Sequence, residues 1–293
     1  FYFKNDGLQN QSVLYMQQEL GALAEVILDP NTFSEDGTIA LGNVSASPDG
    51  KYIAYSISRG GSDWNEIVVM DIDSRAMLED TILWVKFSGI SWFEDGFYYS
   101  SYDAPEEGQA LSGSNEFHKL YYHKLGTSQK DDQVIFQDKN NPKRNFYGSV
   151  TDDGAYLIVS ESQSTSGNAV YAKATNNMQA PFIKIADGFD YDYNVVDHLN
   201  GKLLVVTTNG APMKQVVLID PQQPAKENWK VVIPESENVL SGVSLVGDYI
   251  YAQYLVDANS KAYFYDYEGN LQHQLELPTL GTISGFSGDK GDQ

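Results

Sequence analysis

Short apolar and aromatic runs, each preceded by a tight polar turn, recur along the chain at a nearly constant interval. The five clearest runs are residues 52–55, 97–99, 156–159, 203–206 and 249–251. Each follows an Asp-Gly, Asn-Gly or Gly-Asp pair, and such pairs tolerate the positive φ of a hairpin turn. The turn glycines are 46, 58, 47 and 46 residues apart: Gly50, Gly96, Gly154, Gly201 and Gly247.

A second apolar run follows each of these about twenty residues later, at residues 66–71, 119–123, 169–172, 215–220 and 262–266. Several short strands per period and hardly any helical periodicity predict an all-β chain with the fold of a β-propeller. Residues 2–3 and 12–16 fit one further blade, and residues 281–286 begin another. We therefore expect residues 1–293 to form an incomplete ring of the seven-bladed type, with about six blades and the start of a seventh.

One period is longer than the others, because the spacing of 58 includes an insertion at residues 105–115. The insertion is rich in Gly, Ser and Glu, which is typical of a surface loop.

Charge and composition narrow the classes of function. Forty acidic and 19 basic residues give a formal net charge of −21, which disfavours binding to nucleic acids or to anionic membrane surfaces. The chain has no cysteine, so disulfides, thiolate nucleophiles and cysteine zinc sites are excluded.

The sequence shows no clear catalytic motif of its own. Three Gly-x-Ser segments, around Ser91, Ser244 and Ser287, lack the closing glycine of a nucleophile elbow. The four histidines have no metal-binding spacing, so we expect neither a metal nor a cofactor. Carboxylates are abundant in the turns, where they cap backbone groups, although an active site built from carboxylates stays open as a minor alternative.

Two segments differ from ordinary strand material. Residues 61–64 place Asp63 and Trp64 in a loop between two predicted strands, and residues 85–92 lead with Phe87 into the start of the next blade. Packing between blades is one interpretation of Trp64 and Phe87, and a role in binding is the other.

Eight segments, in the same order along the chain, resemble the β-propeller of the prolyl oligopeptidase family. They are residues 7–15, 28–38, 47–50, 61–64, 85–88, 119–127, 229–235 and 285–288. Members of that family are cytosolic or periplasmic serine endopeptidases that cleave short peptides after proline. Their catalytic α/β-hydrolase domain follows the propeller, and nothing in these 293 residues resembles it.

The resemblance therefore implies a substrate-gating domain that is inactive alone. Its expected partners are its own α/β-hydrolase domain and short proline-containing peptides, in a parent protein that is a monomer, either cytoplasmic or periplasmic. Phe87 matches a residue that lines the peptide cavity beyond the proline pocket. Asp63 matches an acidic residue on the rim facing the catalytic domain, and Trp64 belongs to the same loop. Residues 105–115 match a loop implicated in gating.

Two departures from the family leave the subsites beyond the proline pocket undefined. An arginine found in some members near residues 168–169 is missing here, and so is a methionine near residues 145–147. The alternative function is a stand-alone propeller that binds proteins, and a downstream reading frame containing a glycine-flanked serine would discriminate between the two.

Overall fold

The computed structural model describes residues 1–106, 108–110, 113–277, 279–285 and 288. In this part of the chain the regular structure is almost entirely β, and the helices are single 3-10 turns at Pro30–Thr32, Gln129–Asp131, Thr175–Asn177 and Lys226–Asn228. No helix among the described residues is long and apolar enough to cross a membrane. The chain divides into two compact units, Phe1–Ser149 and Val150–Gln293.

In the first unit, antiparallel strands follow one another in chain order. A three-stranded sheet consists of β1 (Tyr2–Lys4), β2 (Val13–Met16) and β3 (Glu25–Leu28). A larger sheet begins with β4 (Ile39–Ala46), β5 (Tyr52–Arg59), β6 (Asn65–Asp71) and β7 (Met77–Val85). It continues with β8 (Ser91–Phe93), β9 (Gly96–Ser101), β10 (Lys119–Lys124) and β11 (Gln133–Gln137). One residue pair, Val85 opposite Ser101, joins the two groups of four strands.

The second unit repeats this plan. β12 (Asn145–Val150) spans the boundary between the units and is followed by β13 (Tyr156–Ser162), β14 (Asn168–Ala174) and β15 (Ile183–Ala186). A four-stranded sheet then contains β16 (Tyr193–Leu199), β17 (Lys202–Thr207), β18 (Gln215–Ile219) and β19 (Lys230–Ile233). Another contains β20 (Val239–Val246), β21 (Tyr249–Val256), β22 (Asn259–Tyr265) and β23 (Leu271–Leu275). The architecture is all-β and built from four-strand units, as a β-propeller requires.

The ten predicted runs coincide with strands. The runs that follow the turns lie in β5, β9, β13, β17 and β21, and the later runs lie in β6, β10, β14, β18 and β22. Residues 281–285, in contrast, form no strand: Ser260 N–H donates to the Gly281 carbonyl at 2.8 Å, and Ile283 N–H donates to Ser260 Oγ at 3.0 Å. Phe286, the last residue of that predicted segment, lies outside the described residues.

One predicted turn is displaced by a residue. The hairpin between β8 and β9 turns at Glu94 and Asp95, and Glu94 takes a φ of 50°. Gly96 is the first residue of β9, where a Cβ would lie 2.0 Å from the carbonyl oxygen of His123. This glycine therefore permits the close approach of β10, whereas Asn200–Gly201 forms the predicted turn with both φ angles positive.

The strands are apolar at consecutive positions because each sheet buries both faces. In β17, Leu203 and Val205 pack in one core cluster with Val170 of the preceding sheet. Leu204, between them, packs in another cluster with Ile250 of the following sheet. Side chains alternate between the faces of a strand, so a continuous apolar run serves two cores at once.

An ionisable group is buried between the two halves of the larger sheet. His123, on β10, is fully buried; its Nδ1 lies 2.7 Å from Asp132 Oδ1 and its Nε2 lies 3.0 Å from Asp80 Oδ1. The Tyr99 hydroxyl also donates to Asp132, at 2.6 Å. Burial by itself lowers the pKa of His123, but the hydrogen bonds and charges of Asp132 and Asp80 outweigh it and raise the pKa above its ordinary value.

We expect the His123 imidazolium to stabilise the fold at low pH more than at high pH. Because its pKa is raised, the contribution is fully present below pH 6.5 and is lost as the pH rises through the raised pKa. His123→Ala should lower the free energy of unfolding by about 3–5 kcal/mol at pH 6, since it leaves two buried carboxylates without their cation. Urea unfolding from pH 6 to 9 measures this, and an unchanged difference between the two proteins across that range contradicts it.

Candidate functional site

Asp63, Trp64 and Phe87 lie side by side in the first unit, and a fourth residue, Lys86, contacts all three. Lys86 Nζ is 3.2 Å from Asp63 Oδ2. It is also 5.3 Å from the centre of the Trp64 ring and 5.6 Å from the centre of the Phe87 ring. Lys86 was not among the predicted site residues, although its place directly before Phe87 is a signal that could have identified it.

Strand register brings the two segments together. Asn65, the first residue of β6, pairs with Val85, the last residue of β7. The residues just before β6 and just after β7 therefore leave the sheet at the same end. Asp63 lies two residues before Asn65, and Lys86 lies one residue after Val85. The two side chains therefore meet at this end of the sheet.

The ion pair is asymmetric in exposure. The Lys86 side chain is only 12% exposed, whereas the Asp63 side chain is 80% exposed. An ion pair with one partner in solvent contributes about 0–1 kcal/mol, so its energy is small. Its effect is to hold a cation against two aromatic rings while the carboxylate of Asp63 stays open to another partner.

Trp64 links this group to the insertion. Its Nε1 donates to the carbonyl oxygen of Ala110 at 2.7 Å, within the predicted gating loop. Its ring meets Trp84 and Tyr102 edge to face, with centroids 5.6 and 6.2 Å away. Trp64 therefore has the packing role that was one of its two interpretations. Residues 107, 111 and 112 of the loop lie outside the described residues.

The Phe87 side chain lies at the surface of the first unit. Its side chain is 51% exposed and its backbone has a φ of 53°, a left-handed conformation that costs a residue with a Cβ about 1–3 kcal/mol. The two neighbouring carbonyls are held by side chains. Lys86 O accepts from His118 Nε2 at 2.9 Å, and Ser88 O accepts from Asn43 Nδ2 at 2.6 Å. The strained backbone is thus fixed on both sides of the exposed ring.

His118 holds this backbone as a neutral imidazole. It is fully buried, and its Nδ1 accepts the backbone N–H of Phe146 at 2.9 Å, so Nε2 carries the proton that is donated to Lys86 O. The Tyr102 ring lies 4.6 Å from it, centre to centre. Burial lowers the pKa of His118 to about 4, which keeps the ring neutral at physiological pH.

The other histidines, and those serines of the Gly-x-Ser segments that the structure describes, lie in strands. Ser91 lies in β8 and Ser244 in β20, while Ser287 is outside the described residues. His198 Nδ1 lies 2.5 Å from Asp153 Oδ2, and the His273 ring stacks on Phe264. No group of three or more His, Cys, Asp or Glu in the described part of the chain could hold a metal ion.

We expect acid to weaken the fold through His118. Its pKa is about 4 when folded and 6.5 when exposed, so the unfolded chain binds the proton first and stability is lost as the pH falls from 6.5 to 4. The loss should reach about 3 kcal/mol. His118→Gln cannot titrate, so its deficit relative to the wild type should shrink towards pH 4 in urea unfolding. Parallel curves for the two proteins would refute this.

Lys86→Met should disturb the site more than the stability. The lost ion pair and cation–π contacts together contribute about 1.5 kcal/mol or less to the free energy of unfolding. The near-UV circular dichroism from Trp64 and its neighbours should change, because the cation no longer orders the rings. Lys86→Arg is the matched control and should retain the wild-type spectrum. A wild-type spectrum for Lys86→Met would show that the lysine does not order these rings.

Known proteins of one family match this chain along its whole length. The family model described as the prolyl oligopeptidase N-terminal β-propeller domain matches residues 1–293. The prolyl endopeptidase of Elizabethkingia meningoseptica is 46% identical over 294 residues, which cover 100% of this chain and 41% of the relative. This chain thus spans less than half the length of the relatives that it matches.

Solved structures give the same result. One from a study of two prolyl endopeptidases and their inter-domain dynamics has a TM-score of 0.88 and 32% identity, covering 100% of this chain and 42% of that one. Prolyl oligopeptidase B of Galerina marginata, bound to a 25mer macrocyclization substrate, has a TM-score of 0.86 and 28% identity, covering 95% of this chain and 42% of that one.

Proposed function

Because this chain belongs to the prolyl oligopeptidase family, as an N-terminal β-propeller domain, we propose that it gates a serine endopeptidase that hydrolyses short peptides after proline. The family predicted from the sequence is thereby confirmed. The gating function rests on one observation above all, the common contact of Asp63, Trp64 and Phe87 with Lys86. The three residues to which the resemblance assigns substrate-binding or gating roles are neighbours around one cation.

Each of the three has a distinct proposed role. Phe87, half exposed on a fixed backbone, contacts the peptide beyond the proline pocket. Asp63, whose carboxylate reaches solvent, faces a cationic group of the catalytic domain. Trp64 anchors the loop of residues 105–115 through Ala110, so that movement of the loop and the position of Asp63 are coupled.

The catalytic serine, aspartate and histidine belong, in this proposal, to an α/β-hydrolase domain of the parent protein, and these 293 residues alone are inactive. The four-strand units are blades of a propeller of the seven-bladed type, with about six blades and the start of a seventh. Such a domain admits short, unfolded peptides and keeps folded proteins from the active site. The net charge of −21 is electrostatically compatible with the binding of cationic peptides.

The alternative, a stand-alone binding module, is less well supported. Two prolyl endopeptidases that resemble the chain over its whole length are more than twice as long as it. A module that only bound proteins would give no reason for a half-exposed phenylalanine held in a left-handed backbone near a carboxylate that is largely exposed.

The test is hydrolysis by the full-length protein that contains this chain. It should cleave fluorogenic Gly-Pro peptides and leave a folded protein with exposed proline loops intact, while the 293-residue chain should not react with a fluorophosphonate probe. Labelling of the short chain, or efficient digestion of the folded protein, would disprove the gating function.

A variant separates gating from general stability in the same assay. Phe87→Ala should raise KM about tenfold for peptides that extend beyond the proline pocket, because the substitution removes the aromatic ring that the bound peptide would cover. Tyr191→Ala, which removes another exposed aromatic ring from the second unit, is the control and should leave KM unchanged. Equal effects of both substitutions would remove the role proposed for Phe87.

A further inference from the structure

A recess lies beside Phe87, in the first unit, and nothing in the family match assigns it a role. It is a cavity of about 260 Å³. Its walls are apolar where Ile67, Val85 and Ile90 line it, and polar where Asn43, Ser56 and Asn65 line it. Phe87 also lines it, so the cavity is continuous with the proposed peptide contact.

Irregular backbone is concentrated around this cavity. Between the pairs Leu41–Ile57 and Val44–Tyr55, two residues of β4 oppose the single residue Ser56 of β5, which is a β-bulge. A second register shift separates the pair Asn65–Val85 from the pair Ile67–Ile82. Bulges of this kind re-aim side chains beside functional sites.

The first bulge shapes the cavity wall. A Cβ on Gly42 would lie 2.4 Å from Ser56 Oγ, so only glycine fits there while Ser56 keeps its position. The next residue, Asn43, donates its backbone N–H to Ser56 Oγ at 2.8 Å and its side-chain amide to Ser88 O at 2.6 Å. Asn43 thereby connects the cavity wall to the segment that carries Phe87.

The second shift adds strain at the opposite wall. Trp84 lies within it and has a φ of 61°, and Phe87 has a φ of 53°. Left-handed residues with a Cβ cost free energy and persist where the surrounding structure holds them, often at ligand sites. Phe87 lines the recess, and Trp84 directly precedes the lining residue Val85, so a strained segment borders the cavity and indicates a shape kept for a ligand.

The lining chemistry selects what can enter. None of the described residues that line the cavity carries a charge, and the neighbouring Lys86 is already paired with Asp63. A charged side chain placed there would lose water without gaining a counter-ion, which is strongly unfavourable. The volume is somewhat below the roughly 300–1,000 Å³ of sites that hold whole small molecules, so one side chain is the fitting occupant.

We propose that this cavity is a subsite for one uncharged side chain of the peptide substrate, next to the residue that contacts Phe87. The inference rests on the proposed function, because it requires a peptide to lie against Phe87. Asn65 is the residue best placed to set the selectivity: it lines the cavity, and its amide nitrogen donates only to the exposed loop, at Asp63 O.

The experiment uses the full-length protein and peptides that end in Gly-Pro-reporter, with Leu, Ser, Lys or Glu at the third or fourth residue before the cleaved bond. The wild type should prefer Leu and Ser to Lys and Glu by about tenfold in kcat/KM at one of these positions. Asn65→Asp places a carboxylate in the wall and should shift the preference towards Lys. Ile90→Phe should reduce the space and lower kcat/KM for Leu, while peptides that stop at Gly-Pro are cleaved as before.

A control substitution and a measurement of folding accompany these variants. Asn194→Asp introduces the same charge on an exposed position of β16 and should leave the preference unchanged. Thermal unfolding shows whether Ile90→Phe is folded, and Asn65→Asp answers the question if it is not. Cleavage with the same side-chain preference in the wild type and in Asn65→Asp overturns the subsite. Failure of the wild type to cleave any proline peptide overturns the proposed function instead.

Discussion

Each four-stranded sheet in this chain has to bury both of its faces, and this constraint governs the rest of the structure. In the first unit, Tyr55 packs in one core cluster with Leu28 of the preceding sheet. Ala54, one residue earlier, packs in another cluster with Phe97 of the following strands. Because both faces are largely occupied by core, the strand interiors leave little room for a substrate site. Function has to be placed at the strand ends and in the connections between them.

The candidate site follows from that restriction. Asp63, Trp64, Lys86 and Phe87 all lie in connections, and the pairing of Asn65 with Val85 brings them together. The ion pair contributes little free energy, but the backbone around Phe87 is fixed by hydrogen bonds from the buried His118 and from Asn43. A rigid sheet end with an exposed ring and an exposed carboxylate is the arrangement that a substrate gate needs.

Two buried histidines of the first unit have opposite pKa shifts, because their hydrogen-bond partners differ. His123 lies between two carboxylates, which raise its pKa and favour its cationic form between neighbouring groups of strands. His118 has only a carbonyl and an N–H as hydrogen-bond partners, so burial lowers its pKa to about 4 and it acts as a neutral bridge beneath Phe87. Acid therefore weakens one contact and strengthens the other.

The sequence by itself determined the strands, their period and the family. Turn pairs such as Asn200–Gly201 and two-sided apolar runs such as residues 203–206 are local signals, because positive φ and side-chain alternation are properties of a few neighbouring residues. Resemblance also proposed Asp63, Trp64 and Phe87 as candidate site residues. Tertiary structure alone decided that Gly96 serves close packing and that residues 281–285 lie against β22 without forming a strand.

The contacts that matter most for function were also decided by the tertiary structure. Lys86 becomes the centre of the site through a pairing across strands, and His118 is 32 residues away from the carbonyl that it holds. The cavity beside Phe87 depends on two bulges, and a register shift leaves no pattern in either strand on its own. A sequence specifies local geometry directly, whereas contacts between distant segments depend on register and packing, which only the folded chain sets.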